Sequence, residues 1–201
     1  MKAEPPTVGK GAGAGRPRDP RIDAAILQST AELLVEIGYA NLTMGAVAER
    51  AQTTKTALYR RWSSKAELVH EAVFPAVAEG LAAPAGDIAA DIAAMLRAAR
   101  DMFTSPVMRA ALPGLVADVS ADADLNARVM ARFTDTFGAV RTRVVDGIAR
   151  GEVHPDVNPD RLVEIIGGST MLRMLLWPER ELDDDWVTQT AAIVVHGVTV
   201  N

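Results

Sequence analysis

The 201-residue chain has no cysteine, and aromatic side chains make up only 4% of it. Without cysteine there can be neither a disulfide framework nor a thiolate metal site. No apolar run approaches the roughly 20 residues of a membrane helix, so we expect no membrane partner. The N-terminus is polar and rich in Gly and Pro, unlike a signal peptide. These absences favour a cytoplasmic protein.

Residue clusters that could perform chemistry are also missing. The three histidines (His70, His154 and His196) are scattered, and we expect each to be exposed or hydrogen-bonded rather than a metal ligand. There is neither a glycine-rich phosphate loop nor a serine elbow. The acidic run 183–185 stands where a helix should begin, so capping explains it. The sequence predicts no catalytic residue, no metal and no cofactor.

The residues that are present favour an all-α fold. Apolar residues make up 49% of the chain and charged residues 23%, which is typical of a globular protein. Apolar positions recur at helical spacing, without a strand pattern. Helices are predicted at 20–37, 44–51, 54–62, from 64 until Pro75 stops or kinks it, and at 87–104, 106–120, 122–150, 159–176 and 183–200. We expect Pro113-Gly114 to divide 106–120 into two pieces, whereas 122–150 is predicted as one long helix.

Charge is distributed unevenly along the chain. The net charge is −5, but residues 1–65 carry +4 and the remainder −9. A basic head on an acidic body is the charge distribution that orients a protein on DNA.

Residues 43–62 form the most informative motif. They read as two short helices joined by a tight turn, with Thr54 as the N-cap of the second. Leu58 and Trp62 point inward, while Lys55, Thr56, Tyr59, Arg60 and Arg61 are expected to point outward. This is the pattern of a helix-turn-helix, whose second helix enters the major groove of DNA.

The flanking segments make the motif more specific. They are Arg21–Leu27, Ala31–Leu34, Gly38-Tyr39, Leu42-Thr43 and Ser64–Leu68. In order and spacing, residues 20–69 resemble the DNA-binding domain of the TetR family of transcriptional regulators. The chain departs from the family pattern at Gln52 (usually Gly), Thr53 (usually aliphatic), Thr56 (usually Gly or Asn) and Arg61-Trp62 (usually His-Phe).

The resemblance implies an N-terminal three-helix DNA-binding domain followed by a helical ligand-binding and dimerisation domain. We assign residues 1–19 to a disordered basic arm, 20–80 to the DNA-binding domain and 81–201 to the regulatory domain. The expected DNA contacts are Arg16, Arg18, Thr43, Thr54, Lys55, Thr56, Ala57, Tyr59, Arg60, Arg61 and Lys65. Arg16 and Arg18 either enter the minor groove or belong to a solvated linker.

The central helices contain many methionine and phenylalanine residues, which suit an apolar ligand of irregular shape. The candidate pocket residues are Met95, Met102, Phe103, Met108, Leu112, Phe133, Phe137, Arg141, Met171 and Met174. Arg141 or Thr134 could supply a polar contact to an unknown small-molecule effector. The alternative is that these residues form plain core.

The last two predicted helices are too apolar for the surface of a monomer. We expect them to face each other and, as the resemblance implies, to form a four-helix bundle with a second copy. The predicted interface residues are Ile166, Gly168, Leu172, Leu175, Ile193, Val194 and Gly197. A homodimer also suits a palindromic operator. The alternative is a core pair within one protomer.

The function predicted from these features is a dimeric transcriptional repressor that a small, apolar ligand releases from double-stranded operator DNA. A ligand-independent architectural DNA-binding protein is the first alternative, and a fully packed centre would favour it. The second is an α-helical enzyme with a vestigial DNA-binding head, against which the missing catalytic residues argue.

Overall fold

The structure, a computed structural model, describes residues 20–74 and 86–200. This part of the chain forms ten helices: α1 (Pro20–Asn41), α2 (Met44–Arg50), α3 (Lys55–Tyr59), α4 (Lys65–Val73), α5 (Ile88–Thr104), α6 (Pro106–Ala121), α7 (Ala123–Arg132), α8 (Thr134–Ala149), α9 (Pro159–Leu176) and α10 (Asp184–Val198). Its only extended pairing is an isolated bridge between Val153 and Thr199. The all-α prediction is confirmed. The predicted arm, with Arg16 and Arg18, lies outside the described residues.

Polar side chains cap most of the helices, among them Thr54 and Asp183, where the sequence predicted capping. The caps Thr43, Thr54, Ser64, Asp87, Asn158 and Asp183 each accept a hydrogen bond from a backbone N–H of the first turn. At the start of α4 the N–H of Glu67 donates to the hydroxyl of Ser64, and the carboxylate of Glu67 accepts from the N–H and hydroxyl of Ser63. Gly38 (φ 72°) ends the regular part of α1, and Gly151 (φ 76°) follows α8.

The expected division of 106–120 is wrong, because α6 runs continuously through Pro113. Gly114 has a packing role instead. A Cβ built on Gly114 would lie 2.2 Å from the ring of Tyr39, so the glycine permits close approach of α6 to α1. The packing of α6 on α1 and α4 offsets the hydrogen bond that proline removes.

The single helix predicted for 122–150 is also wrong. Phe133 (φ −87°, ψ −1°) separates α7 from α8. Its ring stacks on Phe137 at 5.3 Å and meets Phe74 edge-on at 5.0 Å between centroids. Because a single residue forms the break, the helical spacing of apolar residues continues across it. The sequence pattern therefore gave no sign of the break.

Two apolar clusters form the core. One joins α1–α4 to α6 and α7, together with Phe103 of α5 and Met174 of α9, so it crosses the predicted domain boundary at residue 80. The other joins α5, α8, α9 and α10. Both α9 and α10 pack mainly on α5, so the expectation that they face each other within the protomer is wrong. Within the described ranges, no helix could cross a membrane and no group of three or more His, Cys, Asp or Glu could hold a metal ion.

The turn between α2 and α3 contains Gln52 at φ 51°, where the family usually has glycine. A left-handed conformation costs a non-glycine residue about 1–2 kcal/mol. Glycine avoids this cost, but part of the gain is offset because glycine has more conformational freedom to lose from the unfolded chain. We therefore expect Gln52→Gly to raise the free energy of unfolding by about 0.5–1 kcal/mol in urea titrations at fixed protein concentration.

Gln28→Gly is the matched control, because Gln28 is exposed within the regular helix α1. The same substitution there should lower the free energy of unfolding by about 1 kcal/mol. Equal destabilisation by both substitutions would show that the turn at Gln52 is not strained.

Candidate functional site

The helix-turn-helix presents a polar surface on a well-anchored frame. The hydroxyls of Thr43 and Thr54 accept the N–H groups of Ala46 and Ala57, each at 3.1 Å, and so fix the starts of α2 and α3. Leu58 is fully buried beneath α3. The exposed predicted DNA contacts are Thr43, Thr54, Lys55, Thr56, Tyr59 and Arg60, while Ala57 is half-buried. These residues form one surface that could meet DNA.

Arg61 does not belong to this exposed set. Its side chain is only 9% exposed and ion-pairs with Asp23 of α1, while also donating to the carbonyl of Ala57 at 3.0 Å. The expectation that Arg61 points outward is wrong. Helix α3 ends at Tyr59, so the helical phase that placed Arg61 beside Arg60 does not extend that far. In this position Arg61 holds α3 against the start of α1.

Lys65 is tied to the end of α1. Its ammonium donates to the carbonyl oxygen of Tyr39 at 3.0 Å and lies 4.1 Å from the centroid of the Tyr39 ring. The side chain is half-buried. A phosphate contact from Lys65 would therefore compete with this internal contact.

Tyr39 connects the helix-turn-helix region to α6. Its buried ring lies beside Gly114, and its hydroxyl donates to the carboxylate of Asp118. Burial, followed by the hydrogen bond to Asp118, raises the pKa of Tyr39, so the phenol stays neutral. Sequence reasoning missed this junction. The one signal was the Gly38-Tyr39 pair, because a glycine in the left-handed region redirects the chain.

A second connection links Trp62, which lies three residues after the end of α3, to α7. The indole Nε1 of Trp62 donates to the Glu71 carboxylate of α4 at 2.8 Å, and Arg132 ion-pairs with the same carboxylate. Arg132 also lies 3.7 Å from a carboxylate oxygen of Glu67. Since Arg132 directly precedes the break at Phe133, this network joins the helix-turn-helix to the α7–α8 junction.

Adjoining clefts open where helices α4 to α9 meet. The two larger ones have volumes of about 450 and 380 Å³, and Phe103, Phe137 and Gly167 line both. A smaller apolar cleft of about 90 Å³ shares the same three residues. The predicted pocket residues that line these clefts are Met95, Met102, Phe103, Leu112, Phe133, Phe137, Arg141 and Met171. Phe74, just before Pro75, was missed.

Three predicted pocket assignments need correction. Met108 is fully buried and Met174 nearly so, and both fill the first core cluster rather than a cleft wall. Thr134 is exposed, and its hydroxyl donates to the carbonyl of Ala131 at 2.8 Å. Arg141 does line the cleft of about 450 Å³, where it pairs with Asp160 at 2.6 Å.

His70 of α4 lines the cleft of about 380 Å³ and is only 2% exposed. It packs against Phe74 and Phe133 at centroid distances of 4.8 and 5.3 Å, and neither ring nitrogen has a hydrogen-bond partner among the described residues. The prediction of an exposed or hydrogen-bonded histidine is therefore wrong here. Its helical phase was the missed signal, because His70 shares a face with Ala66 and Val73.

The electrostatic environment keeps His70 uncharged at neutral pH. Burial, and secondarily the positive charge of Arg132, lower the pKa of His70 to about 4, against smaller opposing effects of Glu71 and Glu67. The neutral imidazole thus has one N–H donor and one acceptor.

Helices α9 and α10 expose an apolar face. Leu172 is 50% and Ile193 74% exposed, and Leu175 is exposed as well. A Cβ built on Gly168 or Gly197 would meet no atom within 4 Å. Two other predicted interface residues, Ile166 and Val194, are instead buried in the protomer's second core cluster. They face α5 rather than the open side.

Family models match both parts of the chain. The model described as "Bacterial regulatory proteins, tetR family" matches residues 26–72, and "Tetracyclin repressor-like, C-terminal domain" matches residues 82–194. The first match contains the helix-turn-helix, and the second contains α5–α9 with most of α10.

Individual relatives agree with the family models. The HTH-type transcriptional regulator Mb1581 of Mycobacterium bovis is 30% identical over 181 residues, 87% of this chain and 88% of its own. The solved TetR family regulator SCO0332 has 33% identity and a TM-score of 0.69, over 90% of this chain and 100% of its own. The DNA-binding transcriptional repressor TetR of Mycobacteroides abscessus is 44% identical over 50 residues, 25% of this chain and 26% of its own. The chain belongs to the TetR family, whose members are transcriptional regulators and not enzymes, as the sequence predicted.

Proposed function

We propose that the protein is a homodimeric repressor that binds a palindromic operator in the cytoplasm and is released from it by a small, apolar ligand. The observation that carries this proposal is the position of α4, which contacts the helix-turn-helix through Glu71 and lines a cleft through His70. The Mycobacteroides abscessus relative is itself named a DNA-binding transcriptional repressor, which supports the direction of regulation.

In the proposed complex, α3 lies in the major groove. Lys55, Thr56 and Arg60 are exposed along α3 or at its end and supply donors for base edges and phosphates. Tyr59 is 55% exposed and lies at the groove wall, where its hydroxyl can reach a phosphate. Thr43, Thr54 and Ala57 lie at the edges of this surface. Arg61 and Lys65 contribute chiefly by holding α3 and α4 in place.

Substitutions on α3 should separate base reading from phosphate binding. In gel-shift titrations with duplexes that the wild-type protein selects from a random pool, Lys55→Ala should weaken binding by about 1–3 kcal/mol and relax the sequence preference. Tyr59→Phe should weaken all duplexes similarly. Arg97→Ala is the control, because Arg97 is exposed on α5, outside this surface. Unchanged affinity in both α3 variants would refute the placement of α3.

The exposed face of α9 and α10 supports the proposed dimer. A two-fold pair of these helices would bury Leu172, Leu175 and Ile193, and the open space at Gly168 and Gly197 would let the partner helices approach closely. We expect such an interface to bury more than about 2,000 Å² in total, as obligate dimers do. It would also bring two recognition helices to successive major grooves, about 34 Å apart.

Ile193→Asp should dissociate the dimer, because it would bury an unpaired charge at the interface. Sedimentation velocity at micromolar concentration should show a wild-type dimer and a variant monomer. The control is Val35→Asp, which places the same charge at an exposed aliphatic position on α1 and should leave the dimer intact. A wild-type monomer at this concentration would contradict the proposed assembly.

The switch depends on the α7–α8 junction. A ligand that enters beside Phe133 would displace the adjacent Arg132 and, through its ion pair with Glu71, helix α4. Movement of α4 would change the spacing of the two recognition helices, so ligand and operator should oppose each other. A ligand-independent architectural protein would not need clefts of this size.

Ligand binding and operator binding should therefore be coupled. Compounds that raise the melting temperature in a small-molecule screen should lower operator affinity by about 5–150-fold. Arg132→Gln should retain compound binding but reduce the loss of operator affinity that the compound causes. Arg128→Gln, on the same helix, leaves the Arg132–Glu71 ion pair intact and should leave that loss unchanged. Compounds that bind the clefts of the wild-type protein without changing operator affinity would rule out the switch.

A further inference from the structure

Among the described residues His70 has no hydrogen-bond partner, and it lies in a mainly apolar cleft wall. Its neighbours in the cleft of about 380 Å³ include Phe74, Leu115, Val129 and Phe133, and none of the described residues that line this cleft is charged. A buried polar group without a hydrogen bond destabilises a folded protein. A bound molecule that completes the hydrogen bonding removes this cost.

His70 lines this cleft, while both of its ring nitrogens are buried beside it. A ligand would reach them by moving a neighbouring ring, such as that of Phe133, aside. The neighbouring charged groups do not pair with His70, because Arg132 ion-pairs with Glu71 and lies beside Glu67, and Glu67 accepts hydrogen bonds from Ser63. None of these groups bonds to the imidazole. A hydrogen-bond partner for His70 must therefore come from outside this network.

We propose that His70 is the polar anchor of the ligand site, and that the site takes a flat, uncharged, mainly apolar molecule with a hydroxyl or carbonyl group. The proposal rests on the proposed ligand-responsive function and specifies its ligand. The rings of Phe74, Phe133 and Phe137, which line the cleft, favour a flat ring system. The absence of charge among the described lining residues disfavours an ionised ligand, because its lost hydration would have no counter-charge to replace it.

This anchor would act directly on the helix that carries the signal. His70 adjoins Glu71, whose carboxylate accepts a hydrogen bond from the indole N–H of Trp62, three residues after the end of α3. A ligand bonded to His70 and packed on Phe133 would therefore contact both sides of the α4–α7 connection. The two ligand features would thus have separate roles, the ring displacing Phe133 and the polar group fixing the ligand to α4.

Three probes of matched shape test the proposal: 2-naphthol, 2-methylnaphthalene and 2-naphthoate. Equilibrium dialysis at pH 7 measures their binding to the full-length protein without DNA. We expect 2-naphthol to bind about tenfold more tightly than 2-methylnaphthalene, which is the size of one net hydrogen bond. The ionised 2-naphthoate should bind more weakly than 2-naphthol.

Variants then assign the preference to His70. His70→Phe should abolish the preference for 2-naphthol over 2-methylnaphthalene, and His70→Gln should retain part of it because the amide still hydrogen-bonds. His154→Phe is the matched control at an exposed histidine and should behave as wild type. Should a His70 variant not fold, nitrogen NMR of the wild-type imidazole replaces it, with the His70 signals shifting on addition of 2-naphthol but not of 2-methylnaphthalene.

Equal binding of 2-naphthol and 2-methylnaphthalene to the wild-type protein would overturn the proposal. So would a preference that survives in His70→Phe, tighter binding of 2-naphthoate, or no binding of any probe at its solubility limit. Since these titrations contain no DNA, their failure is separate from failure of the proposed function. A regulator that reads its ligand through other residues would still bind its operator and still respond to other compounds.

Discussion

The packing of Tyr39 against α6 determines how the helix-turn-helix sits on the rest of the molecule. Its ring is so close to Gly114 that any side chain at residue 114 would collide with it, and its hydroxyl needs the Asp118 carboxylate once it is buried. The carbonyl of Tyr39 also holds the ammonium of Lys65 at the start of α4. One residue thus links α1, α4 and α6.

Helix α4 is held at two places by contacts of different kinds. At its start, Lys65 binds the carbonyl and ring face of Tyr39, and near its end Glu71 is shared by Trp62 and Arg132. Packed helices do not deform continuously, so a helix held in this way moves when one set of contacts breaks. The contact near the end adjoins the Phe133 break and the clefts, whereas the contact at the start adjoins the DNA-binding surface.

The sequence predicted what local chemistry decides. The caps at Thr54 and Asp183 could be predicted because a cap depends on a few neighbouring residues. The break at Phe133 and the continuity of α6 through Pro113 could not, since both depend on packing between distant segments. The same holds for the candidate site. Exposed residues of α3 follow from helical phase, but the inward turn of Arg61 requires Asp23, 38 residues earlier.

His70 shows why the residue found in a binding site can differ from the residue that would make the free protein most stable. An aliphatic residue in its place would destabilise the free protein less, because a buried donor or acceptor without a hydrogen bond lowers the free energy of unfolding by about 1–3 kcal/mol. That cost falls on the free protein and is removed when a ligand completes the hydrogen bonds. Under the proposed function, ligand binding would stabilise α4 in a position that differs from its position in the DNA-bound protein. Without ligand, His70 adds no hydrogen bond to the contacts that hold α4 at Lys65 and Glu71, whereas a fully satisfied core would hold the helix more firmly in one place.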